Sequence, residues 1–252
     1  EKFGRVNNTH YLCGKKCSNA MFTYKYPHPA VTTDCVIFGF DGKELNVLLI
    51  ERGIDPFKGC WALPGGFLKM DETAEEGARR ELMEETNVKD VYLEQFHTFS
   101  TVDRDPRERV ITIAYFALVR KSDYRLIAGD DAARAEWFPL KELPPLAFDH
   151  SDIITSAQER LRERLATTPI AFRLLDEKFK MSELQRLYEI INDKTYERRN
   201  FAKKMMATGM LEDEGPNPTP EPNRAATLYS FKEEEYKQKC DSHEWKKYPF
   251  DF

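Results

Sequence analysis

Glu81, Glu84 and Glu85 stand at i, i+3 and i+4 within the string GFLKMDETAEEGARRELMEETNV at residues 66–88. On a helix that spacing turns the three carboxylates to one side. Like charges gathered there call for a counterion, and hard oxygen donors suit Mg2+ or Mn2+. Such an ion would bridge phosphate oxygens and lower the pKa of a bound water that attacks phosphorus. The expected metal ligands are therefore Glu81, Glu84 and Glu85. Gly65 and Gly66 follow Pro64 in the loop ahead of them. Without a Cβ, both let backbone amides approach a ligand, so both are expected to bind substrate.

These groups need a helix to carry them and a sheet to hold that helix. Thr73 and Glu76 have the spacing of a capping box, and Ala74, Ala78 and Leu82 supply an apolar stripe behind it. AVTTDCVIFGF (30–40) and LNVLLIER (45–52) flank a turn at Asp41, Gly42 and Lys43 and read as a β-hairpin. Residues 91–101 and 109–120 read as two more strands, both central, separated by a charged loop around DRDPRE. Residues 135–143 would close the sheet. Asp149 or Ser151 can then cap a helix running to about Leu165. A mixed sheet covered by helices on both faces follows, an α/β arrangement.

The composition changes after Pro169. Leu184, Leu187, Tyr188 and Ile191 form the stripe of an amphipathic helix, and a second helix follows with Phe201, Met205 and Met206 inward and Gly209 as its stop. Two helices joined tightly form a helix-turn-helix. EDEGPNPTPEPN is too rich in proline and acid for regular structure, and AATLYSF (225–231) reads as a strand returning after it, which suggests a wing. Lys194, Arg198, Arg199, Lys203 and Lys204 stand against Glu197 alone, a local charge of +4 that would favour DNA phosphates.

Residues 66–88 match the Nudix box: Gly66, Glu72, Arg80, Glu81, Leu82, Glu84, Glu85 and Val88 all fall in register, so the chain resembles a Nudix hydrolase. That resemblance implies an α/β/α Nudix sandwich, magnesium-dependent hydrolysis of a nucleoside diphosphate derivative, and catalytic roles for Glu72, Arg80, Glu81, Glu84 and Glu85. Arg80 and Glu72 would orient the metal-binding carboxylates. Asn87 replaces the usual glycine after the box and is the next best residue for a left-handed helix end. Many members of the superfamily take a general base from a loop outside the box, and Glu108, Asp130 and Asp131 stay open for that role. Phe57, Trp61, Phe67, Phe96 and Tyr115 could each stack a ring, though each reads first as core.

FDH at 148–150, LQRLYEII at 184–191, RRNFAKKM at 198–205 and RAATLYSF at 224–231 resemble the Nudix-related transcriptional regulators of the NrtR family. A Nudix domain over 21–167 and a winged helix-turn-helix domain over 168–252 are expected. The implied partners are a nucleoside diphosphate ligand, ADP-ribose foremost, and double-stranded DNA, with the chain acting as a homodimer. Two functions follow: a hydrolase that also regulates transcription, or a silent Nudix sensor of a nucleotide sugar or sugar.

The remaining features exclude other classes. A formal charge of −5 over 252 residues leaves DNA binding a local matter. No apolar run approaches a membrane span, and the first twenty residues lack a secretory signal, so a cytoplasmic protein without a membrane partner is expected. Five scattered cysteines do not form a disulfide framework. His10, Cys13 and Cys17 lack a second ligand pair at zinc-finger spacing. Ser18, Asn19 and Ala20 before Met21 resemble the scar of a cleaved tag, and residues 1–20 are expected to be a tag or disordered segment.

Overall fold

A computed structural model describes residues 25–89, 91–121, 132–217 and 226–241. Residues 1–20, Asp130 and Asp131 lie outside the described residues. The hairpin expected early in the chain is β1 (Ala30–Phe40) with β2 (Leu45–Arg52), paired antiparallel. Short strands β3 (Trp61–Ala62) and β4 (Gly65–Phe67) follow, then α1 (Ala74–Thr86). After α1 come β5 (Tyr92–Phe99), β6 (Val110–Arg120) and β7 (Ala132–Pro139). The sheet runs β3-β2-β1-β6-β5, with β4 on β1 and β7 on β2. β1 and β6 are parallel through its middle, and the other pairs are antiparallel, so the sheet is mixed as expected.

Only one of the two strands expected to be central is so. β6 is flanked on both sides and almost wholly buried, whereas β5 is the edge and shows a broken, half-exposed pattern. Its polar residues Glu94, Gln95, His97 and Thr98 interrupt the apolar run that burial on both faces would need.

Period-two alternation divides β1 between the two faces. Cys35 and Ile37 pack with Ala78 and Leu82 of α1. Val36, Phe38 and Phe40 face the other way, against Ile153, Ile154, Ala157 and Leu161 of α2 (His150–Thr167). Asp149 precedes α2 but makes no side-chain cap bond, because its carboxylate is engaged elsewhere.

The core under α2 continues into the C-terminal elements. α3 (Met181–Asn192) buries Leu184, Leu187, Tyr188 and Ile191, the stripe read from the sequence. α4 (Arg198–Ala207) buries Phe201 and Met205 in the same cluster. Met206 is exposed rather than inward, since one residue beyond Met205 turns the helix by about 100°. Gly209 ends the helix in the left-handed region, φ 68°.

A small sheet completes this part: β8 (Phe179–Lys180), β9 (Leu211–Pro216) and β10 (Thr227–Phe231), in the order β8-β10-β9. β9 runs through residues that composition marks as irregular. It is an edge strand, exposed at Glu212, Asp213 and Glu214, and its proline falls at the end, where a missing N–H costs no ladder bond. α5 (Glu233–Asp241) follows β10. Among the described residues no helix is long and apolar enough to cross a membrane.

Candidate active site and nucleic-acid interface

α1 begins as its sequence requires. Thr73 Oγ1 accepts the Glu76 N–H at 3.3 Å, and the Glu76 carboxylate accepts the Thr73 N–H at 2.8 Å. Asn87 closes the helix in the left-handed region at φ 57°, its N–H donating to the Met83 carbonyl. Gly77 lies on the inner side, where a Cβ would come within 2.3 Å of the Leu68 side chain and require it to shift.

Arg80 organises the carboxylates. Its guanidinium forks onto Glu72, with Nε and Nη2 donating at 2.9 and 2.6 Å, while Nη1 donates to Glu81 at 2.7 Å and Glu84 at 3.1 Å. Nη2 also donates to the Phe67 carbonyl at 3.2 Å. The Arg80 bond holds the Glu72 carboxyl below the usual carboxylate range, and the same pairing pushes the Arg80 pKa up. Glu81 is largely buried, and burial pushes its carboxyl upward against the opposing pull of Arg80.

Gly65 and Gly66 come against these carboxylates. The Gly65 N–H donates to Glu85 at 2.8 Å. A Cβ on Gly66 would lie 2.3 Å from Glu81 Oε1, and one on Gly65 would lie 2.1 Å from the Thr33 carbonyl. Gly65 thus has no room for a Cβ against the β1 backbone, and at Gly66 a Cβ would require the Glu81 carboxylate to shift.

The three glutamates share a helix side, but among the described residues no three acidic, histidine or cysteine side chains are grouped to hold a metal. Helical spacing sets the side from which they project, and their ends then follow the nearest positive or donor groups: Arg80 for Glu81 and Glu84, the Gly65 amide for Glu85. By donor type the set fits a hard divalent cation, which would add positive charge beside the largely buried Glu81 that Arg80 already pairs.

A second set of charges lies beneath the glycine loop and was not read from the sequence. Asp34 of β1 is paired in register with Gly65 and is buried. Arg104, with a side chain only 4% exposed, donates to Asp34 at 3.3 Å and to both oxygens of Asp149 at 2.9 and 2.7 Å. His150 Nδ1 accepts the Leu63 N–H at 2.8 Å, and burial holds its pKa below the ordinary value. Asp34, Arg104 and Asp149 are too far apart in sequence for spacing to join them. In the sequence Arg104 reads as part of the charged DRDPRE loop and Asp149 as a helix cap within FDH, with nothing to join them. Of the open candidates for a general base, Glu108 alone lies among the described residues.

The helix pair carries its basic residues outward. Lys194, Arg198, Arg199, Lys203 and Lys204 are all exposed, and Arg199 and Lys203 share the face away from Phe201 and Met205. Glu197, the lone acidic group among them, caps α4 by accepting the Arg199 and Asn200 N–H groups at 3.0 and 2.7 Å. The turn before α4 is stapled: Tyr196 donates its N–H to Glu189 at 3.0 Å and accepts Gln185 Nε2 at its carbonyl at 2.8 Å.

A mixed sheet between α1 and α2, with Arg80, Glu81, Glu84 and Glu85 of the box on α1, defines a Nudix fold, and the chain belongs to that family: the NUDIX domain model matches residues 28–157. The NrtR DNA-binding winged helix domain matches residues 171–231, so the chain joins a Nudix domain to an NrtR winged helix. Over 215 residues, 84% of this chain and 85% of the relative, it is 35% identical to the ADPR responsive transcriptional repressor NtrR of Acinetobacter baylyi. Over 51% of this chain and 73% of the relative it is 46% identical to an ADP-ribose pyrophosphatase of Methanocaldococcus jannaschii. The crystal structure of Shewanella oneidensis NrtR complexed with a 27mer DNA aligns with a TM-score of 0.70 at 34% identity, covering 80% of this chain and 93% of that one.

Proposed function

We propose that this protein is a DNA-binding regulator whose Nudix domain binds ADP-ribose, or a closely related nucleoside diphosphate sugar, and hydrolyses it with magnesium or manganese. The observation that carries this reading is the continuous core: residues of β1 and β6, α2, α3 and α4 belong to one apolar cluster. Two polar ties reinforce it. Arg162 Nε of α2 donates to the Ile191 carbonyl of α3 at 3.0 Å, and Arg186 Nε of α3 donates to the Lys43 carbonyl between β1 and β2 at 3.2 Å. A ligand that shifts the Nudix domain thereby strains the seat of the DNA-binding helices. The names borne by the Acinetobacter and Methanocaldococcus relatives favour ADP-ribose as the ligand.

In this reading Glu81, Glu84 and Glu85 hold the metal, which when bound supplies a Lewis acid and a more acidic water. Arg80 keeps Glu72, Glu81 and Glu84 oriented, and Gly65 and Gly66 admit the diphosphate to the backbone. Lys194, Arg198, Arg199, Lys203 and Lys204 contact DNA phosphates, and a homodimer presents two α4 helices about 34 Å apart. The Nudix unit takes residues 21–167 and the winged helix 168–252, in the cytoplasm.

A sensor without turnover is the second reading, favoured by the engagement of Glu81 and Glu84 with Arg80 and of Glu85 with the Gly65 amide. Product analysis of ADP-ribose incubated with magnesium, with wild type beside Glu84→Gln and Glu85→Gln, separates the two. Turnover by wild type alone supports the hydrolase. Equal background in all three, with ADP-ribose still bound, leaves the sensor.

A further inference from the structure

Two phenylalanines beside the glycine loop hold backbone conformations that a residue with a bulky side chain rarely adopts. Phe57 has φ 65° and Phe148 has φ 53°. Their rings meet edge to face with centroids 4.8 Å apart, so the two strained positions form one structure. Phe57 remains 40% exposed in spite of that contact. Left-handed strain at a non-glycine residue persists only where its surroundings impose it, and it gathers at ligand sites.

The surroundings here are specific. Arg52 Nε donates to the Pro56 carbonyl at 2.9 Å, and the Cys60 N–H donates to the Phe57 carbonyl at 3.0 Å, which fixes the loop that presents Phe57. The Arg52 guanidinium stands 4.8 Å from the Phe148 centroid. Arg107 stands 5.6 Å from Phe148 and 5.2 Å from Phe67. Phe67 follows Gly66 and gives its carbonyl to Arg80, while Phe148 adjoins Asp149, which Arg104 links to Asp34 opposite Gly65. The aromatic pair is therefore continuous with the loop that meets the diphosphate in the reading above.

We propose that Phe57, backed by Phe148, is the platform on which the base of the nucleoside diphosphate ligand stacks, making Phe57 a specificity-determining residue. This rests on the nucleoside diphosphate reading and deepens it. An exposed ring gives an apolar face, the edge contact with Phe148 fixes its plane, and the nearby arginines favour an electron-rich ring carrying phosphate. A core role would hide Phe57, and a solvent-facing loop would place glycine or asparagine at φ 65°.

The test uses calorimetric binding to the full-length protein without metal, so that turnover does not intervene. ADP-ribose is compared with ribose 5-phosphate, which lacks the base. Phe57→Gly removes the ring and suits the positive φ, and thermal melting checks that the variant stays folded. It should weaken ADP-ribose binding about tenfold, the order of one lost base stack, with ribose 5-phosphate unchanged. Phe57→Trp should restore the affinity. ADP-ribose bound equally by wild type and Phe57→Gly overturns the platform while leaving the nucleotide reading intact. No ADP-ribose binding by wild type overturns that reading, and the platform with it.

Discussion

Arg80 is the residue on which the acidic site turns, because one guanidinium reaches three carboxylates and a backbone carbonyl. Lysine would keep the charge and lose the fork. Arg80→Lys is expected to lower kcat with magnesium by about 10–100-fold, the usual cost of losing a group that orients metal ligands, with metal titration of steady-state turnover as the check. His150 makes a second prediction. Burial lowers its folded-state pKa below the ordinary 6.5, and Nδ1 must stay unprotonated to accept the Leu63 N–H. As pH falls, the unfolded chain takes up this proton first, so the histidine's contribution is full above 6.5 and is lost progressively toward the folded pKa. Between about pH 7.5 and 5.5, denaturant unfolding should show a smaller loss of stability in His150→Asn than in wild type. Equal slopes would count against it. The box residues were legible because they lie within one helix and its loop. Arg104, Asp34 and Asp149 were not, since their meeting is made by the sheet and by the start of α2.

Among the elements, α1, α3 and α4 were legible because caps and apolar stripes are local: Thr73 with Glu76, Asn87, and the run from Leu184 to Ile191. β5 and β9 were less so. Whether a strand is central or an edge depends on its neighbours, and β9 owes its existence to pairing with β10 rather than to its own acidic residues. The outward turn of Met206 belongs here too, since Phe201 and Met205 alone set which side of α4 is inner. α4 carries the third prediction. Arg199→Ala and Lys203→Ala should each weaken DNA binding across all sequences and reduce the slope of log affinity against log salt by about 1, as loss of one phosphate contact requires. Unchanged slopes in fluorescence anisotropy would remove these two side chains from the interface.

On the scale of the whole molecule, one apolar cluster spans the Nudix sheet, α2 and both helices of the winged helix. α2 is the connecting piece. Its start is tied to the glycine loop through His150 and Leu63, and its far half is tied to α3 through Arg162. Coupling between two sites is reciprocal, so a ligand that changes DNA affinity must have its own affinity changed by DNA to the same factor. Arg162→Ala should therefore reduce the coupling while leaving ADP-ribose affinity in the absence of DNA near that of wild type.

The most direct test is fluorescence anisotropy of a labelled DNA fragment from upstream of the neighbouring genes, titrated with this protein with and without ADP-ribose, in chelator to prevent turnover. The expected result is a DNA affinity that ADP-ribose shifts by about 5–150-fold, the usual range of coupling between sites. DNA affinity unmoved by saturating ADP-ribose would contradict the account.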